Sequence, residues 1–122
     1  YALCELVGMT KDRTFVDQAR RSLDYALAAQ ADNGGWRYAP RESGDMSVTG
    51  WFMMALKSGE IAGLSVPGES LDRLSKFLDT VSVDGGTRYG YRVDSPLRPP
   101  TGVTTAVSAE GLLARQFLGW PR

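Results

Sequence analysis

Apolar side chains recur every three or four residues along much of this chain, the spacing that gathers them on one face of an α-helix. Thr14 can cap a helix in which Phe15, Ala19, Leu23, Ala26 and Leu27 form such a stripe as far as about Gln30, with Asp17, Arg20, Arg21 and Asp24 on its other face. A second helix is predicted from about Ser47 to Gly63, with Val48, Trp51, Phe52, Ala55, Leu56 and Ile61 making it heavily apolar. Pro67 suits a first helical turn, and Leu71, Leu74, Phe77, Leu78 and Val81 form a third stripe. A last helix should start at Thr101 or Thr104 and run to Leu118, ended by Gly119 and Pro121. Tyr1 to Val7 read as the final turns of one more helix closed by Gly8, so the chain is expected to be cut from a longer one. Between the helices lie a polar loop from Asp32 to about Asp45 and a longer one with Pro96, Pro99 and Pro100. Arg88 to Val93 alternates, but Gly90 and the shortness of the run favour an extended loop over a strand. The fold class expected is therefore all-α.

The helices repeat as pairs. Asn33-Gly34-Gly35-Trp36-Arg37-Tyr38 aligns with Asp84-Gly85-Gly86-Thr87-Arg88-Tyr89, identical at four of six positions. Further on, Thr49-Gly50-Trp51 with Leu56 matches Thr105-Ala106-Val107 with Leu112. This defines two units, about 14–63 and 67–119, each a helix, a Gly-rich loop and a helix, within one domain over 1–122. One helical hairpin cannot cover its own apolar stripes, so such units stack, and equivalent loops then lie at the same end of the molecule.

Composition narrows the chemistry. With 43% hydrophobic and 23% charged residues the 122-residue chain has an ordinary globular balance. Its 14 basic and 14 acidic side chains cancel, so nothing draws it to nucleic acid or an anionic membrane. No apolar run nears the roughly 20 residues of a membrane span. Absence of His excludes Ser-His and Cys-His nucleophile pairs and His-containing zinc sites. Cys4, the single cysteine, has no partner for an intrachain disulfide and reads as a small buried hydrophobe. Carboxylates are left as the chemically active groups, with neither cofactor nor metal expected.

The segment from Gln30 to Trp36 fits the pattern Q-x-x-x-G-x-W, which resembles the repeat of the squalene and hopene cyclases. The resemblance implies part of an α/α toroid, a ring of stacked antiparallel hairpins with inner and outer helices. It also implies a bracing role for Gln30, Gly34 and Trp36. Gln30 can reach the loop backbone, Gly34 permits a dihedral closed to other residues, and Trp36 can fold over the helix end. In the second unit Val81 and Thr87 stand where Gln and Trp belong, so that copy is degenerate. The cyclases carry an acidic motif D-x-D-D-T-A at the start of an inner helix, and Asp45-Met46-Ser47-Val48-Thr49-Gly50 can be laid on it. Asp45 and Thr49 match, but Ser47 takes the place of the acid, and a serine hydroxyl cannot protonate an alkene. Asp45 and Ser47 therefore read as helix caps. The related prenyltransferase zinc site has no candidate ligands here, and there is no aspartate cluster for magnesium.

The resemblance also implies an aromatic cavity on the inner-helix face. Trp36, Tyr38, Trp51, Phe52, Tyr89 and Tyr91 are its candidates, with Asp45 beside them, although aromatic residues in such a pattern are more often simply core. Met46, Met53 and Met54 add adaptable surface. Glu110 reads as a solvated or capping charge, and Arg37 and Arg88 as partners of Asp45 or Asp94. The expected function is a non-catalytic scaffold that binds an apolar ligand or a protein on this face, with self-association through it. The alternatives are a fragment of a terpenoid cyclase whose acids lie outside these residues, and a purely structural repeat.

Overall fold

The computed structural model describes residues 1–95 and 97–119. Five helices carry the fold: α1 (Ala2–Thr10), α2 (Val16–Ala28), α3 (Met46–Ile61), α4 (Gly68–Val81) and α5 (Thr105–Phe117). Two short antiparallel strands, β1 (Ser82–Val83) and β2 (Arg88–Tyr89), pair Ser82 with Tyr89 and Val83 with Arg88. The expectation of an all-α chain is thus met in its helices and corrected at Arg88–Tyr89, where a turn closes a minimal hairpin. Other limits shift too. α1 runs through Gly8, which packs near Ala62, and stops at Lys11 with a left-handed φ of 58°. Asp12, not Thr14, caps the turn before α2 by accepting from the Thr14 amide. Pro67 precedes α4 rather than sitting in its first turn. Pro96 and Pro121 lie outside the described residues.

Alternate helices form a row. α3 lies between α1 and α5, α2 packs across α1 and α3, and α4 packs on α5. Glu5 bonds Ser58 and Gly8 faces Ala62, while Gly50 meets Glu110 and Ile61 shares a pocket with Phe117, so the three helices of the row run in the same direction. α2 runs the opposite way, with Ala26 bonded to the Trp36 ring that stacks on Phe52 and Leu23 packed at Gly59. The two Gly-rich loops meet at one end, where the Met46 amide donates to the Tyr91 carbonyl at 2.8 Å. Between them lies a core in which Trp36, Met46, Met53, Leu56, Leu74, Phe77 and Tyr89 are fully buried.

At the end of α2 the chain must satisfy orphan carbonyls and turn sharply. The Gln30 amide nitrogen donates to the Gly34 carbonyl at 2.8 Å and the Ser70 carbonyl at 3.0 Å, and its oxygen accepts from the Ser70 hydroxyl at 2.9 Å. One buried side chain thereby ties α2 to its loop and to the start of α4. Gly34 has a φ of +88°, and a Cβ there would lie 2.0 Å from the Arg73 carbonyl oxygen. The Trp36 indole N–H donates to the Ala26 carbonyl at 2.7 Å, in the last turn of α2. Its ring stacks on Phe52 of α3 with centroids 5.2 Å apart and planes 5° apart.

The second unit solves the same problem with different residues and in a different register from the sequence match. The Trp36 amide donates to the Thr49 hydroxyl, one turn into a helix capped by Asp45. The Tyr89 amide donates to the Ser108 hydroxyl, one turn into a helix capped by Thr104. Tyr89, not Thr87, is therefore the counterpart of Trp36. Where Phe52 supports the Trp36 ring, Gly111 makes room: a Cβ there would lie 2.3 Å from the Tyr89 ring. The Tyr89 hydroxyl accepts from Arg115 Nε at 3.2 Å, and Arg115 in turn bonds Ser75 and Asp79 of α4. Thr87 is exposed on the turn, its hydroxyl donating to Asp84.

Trp36→Ala and Tyr89→Ala should each cost roughly 3–5 kcal/mol in chemical denaturation, the usual loss for truncating a large buried aromatic. Thr87→Ala should stay within about 0.5 kcal/mol, as at other exposed sites. Similar losses at Thr87 and Trp36 would return the repeat to the register of the sequence match.

Candidate functional site

The N-terminus of α3 brings together the polar residues with the fewest local explanations. Asp45 is completely buried. Its Oδ1 accepts from the Val48 amide and the Ser47 hydroxyl, both at 3.0 Å, and the Ser47 hydroxyl also bonds the Tyr91 hydroxyl at 3.0 Å. Its Oδ2 lies 3.4 Å from Arg37 Nε, an ion pair without hydrogen-bond geometry. Arg37 also faces Glu42 at 3.4 Å. Asp45 is thus a helix cap held beside a guanidinium, as its position before an apolar helix suggests. The ion pair expected for Arg37 is present. Arg88 instead pairs with Asp84 at 3.2 Å, and Asp94 with Arg92 at 2.6 Å.

Glu110 departs furthest from its sequence reading. It is half-buried on α5, against the bare Cα of Gly50, where an added Cβ would lie 2.0 Å from its Oε1. Burial, and secondarily the negative charge of Asp45, raise its pKa above the ordinary carboxylate range. It is not a cap, since it lies in the middle of α5, and it stays partly open to solvent. The sequence signal was Gly50, whose bare Cα leaves room on α3 for the carboxylate of α5.

This carboxylate opens onto a pocket of about 190 Å³ lined by Gly50, Trp51, Met53, Met54, Glu110 and Leu113. Met54 also lines a neighbouring pocket of about 140 Å³ with Tyr1, Ile61 and Phe117. Trp51 continues into a third, of about 210 Å³, with Cys4, Leu23, Ala26 and Phe52. The Cys4 thiol is buried there, and burial raises its pKa, so it behaves as the small hydrophobe expected.

The six candidate aromatics do not form one cavity. Trp36 and Tyr89 belong to the core, and Tyr38 is 82% exposed on the loop before α3. Tyr91 is half-buried against Ser47. Trp51, 63% exposed, and Phe52 share a pocket, although Phe52 gives one side of its ring to Trp36. Gln30 and Gly34 are structural, as described above. Among the described residues no helix is long and apolar enough to cross a membrane, and no three His, Cys, Asp or Glu side chains gather as metal ligands.

A carboxyl whose pKa is higher folded than unfolded takes up its proton more readily in the native state, so its charge opposes folding only once the pH has risen through the folded value. Glu110→Gln should therefore raise stability at pH 7 and leave it unchanged at about pH 3, where both states are protonated. Denaturant titrations of both proteins at the two pH values test this; a Gln variant less stable at pH 7 contradicts it.

No family model matches the chain, and no curated protein and no solved structure matches it either.

Proposed function

We propose that this chain is a non-catalytic helical-repeat scaffold, a sector of an α/α toroid, that binds an apolar ligand or protein segment on the exposed side of the α1–α3–α5 row. The observation that carries this reading is the continuity of the apolar surface there. Trp51, Ile61, Leu113 and Phe117 are exposed on α3 and α5, and the pockets between the helices share Met54. Isolated exposed apolar residues are ordinary, but a strip that links adjacent pockets marks a surface that meets something.

Two further observations support the reading. Alternate helices running in the same direction, with the intervening helices packed on them, is the order of inner and outer helices in a toroid. Against catalysis, Asp45 spends one oxygen on the α3 cap and sets the other toward Arg37, while Ser47 and Val48 occupy the neighbouring positions where the cyclase motif has acids.

The chain should bind Nile red, a neutral apolar dye, and should associate through this face as its concentration rises. Trp51→Ser should weaken dye binding roughly fivefold, the effect of losing about 1 kcal/mol of apolar contact. Fluorescence titration and sedimentation across a concentration series read both outcomes. A strict monomer that binds no dye overturns the binding face, and Asp45-dependent cyclic product from squalene in gas chromatography overturns the non-catalytic assignment.

A further inference from the structure

Resting on the reading of the α1–α3–α5 face as an apolar binding surface, we propose that the pocket between α3 and α5 is a head-group site for a small organic cation, an alkylammonium. Glu110 is its counter-ion, and Trp51, Met53, Met54 and Leu113 surround its carbon atoms. The first argument is charge. The Glu110 carboxylate makes no hydrogen bond or ion pair with any described residue, and no basic side chain lines its pocket. The basic groups nearest in sequence are committed elsewhere: Lys57 to Glu60, and Arg115 to Asp79, Ser75 and Tyr89. A half-buried carboxylate without a partner is costly, and Asp45 adds to the cost with charge of the same sign. A cation in the pocket relieves both, whereas an anionic ligand adds a third negative group.

The second argument is the wall. Apart from Glu110 the lining is Gly50, an indole and apolar side chains, and offers no hydroxyl or amide to a polar neutral ligand. Trp51 is largely exposed, so its ring face is free to meet a cation, the strongest of the aromatic surfaces for that purpose. The thioethers of Met53 and Met54 are polarisable and adapt to different chain shapes. The third argument is size. A space of about 190 Å³ falls below the usual range for a whole drug-sized ligand. It suits an ammonium group and its first carbons, with the rest of an alkyl chain continuing past Met54 toward Ile61 and Phe117.

Hexyltrimethylammonium and 1-hexanol separate the charge from the chain in calorimetric titration of the whole chain. The ammonium should bind at least about tenfold more tightly than the alcohol, and Glu110→Gln should bring the two to within about twofold. Gly50→Ala provides a second variant, since its methyl group displaces the carboxylate while Ala favours the helix, and it should erase the preference in a protein at least as stable. Equal binding of the two probes to the wild type, or a preference unchanged in both variants, overturns the counter-ion role while leaving the apolar face intact. Failure of both probes to bind overturns the binding-face reading and this inference with it.

Discussion

The packing of this molecule depends on how the chain leaves α2 or α4 and enters the next helix of the row. The last carbonyls of a helix need donors, and the first turn of the next helix needs a cap. In each unit both needs are met by one connecting segment that seats an aromatic ring against the helices. In the first unit Trp36 does this with an indole bond to Ala26, a main-chain bond to Thr49 and a stack on Phe52. In the second, Tyr89 uses the Ser108 hydroxyl, the bare surface of Gly111 and the Arg115 guanidinium. Loss of the Trp36 ring removes a core side chain and a helix-end hydrogen bond together, and loss of the Tyr89 ring removes a core side chain and the acceptor of Arg115 Nε.

The different solutions in the two units have a physical reason. Trp36 carries a donor, so it can satisfy a helix carbonyl directly. The Tyr89 hydroxyl accepts instead, and Arg115 supplies the donors, passing its remaining N–H groups to Ser75 and to Asp79. A buried guanidinium needs such a set of acceptors to offset its desolvation. The wider Trp ring is matched by Phe52, the narrower Tyr ring by a closer helix, and Gly111 is what that closeness requires.

That same closeness shapes the exposed face. α3 and α5 approach at Gly50, which places the Glu110 carboxylate at the seam between them. The outward residues beside the seam are Trp51, Met54 and Leu113, so the carboxyl group stands in apolar surroundings, and among the described residues no basic side chain lines its pocket. The contact of α5 with Gly50 thus also sets the character of the surface beside it.

Local pattern alone determined the helices, because periodic burial is written directly into the order of apolar residues. It also placed Gln30 and Trp36 at a helix end, Asp45 as a cap and Arg37 as its partner, since each of these acts within a short stretch of chain. The minimal hairpin at Arg88–Tyr89 was missed, because so short a strand exists only through its pairing with Ser82–Val83. The match of Thr87 to Trp36 followed residue identity, whereas the fold matches by which amide meets which hydroxyl, and that selects Tyr89. Tyr38 was grouped with the site by its aromatic ring, yet its loop turns it to solvent. Glu110 shows the limit most plainly: its burial, its nearness to Asp45 and its pocket come from residues about sixty positions apart in sequence, brought together only when α5 packs on α3.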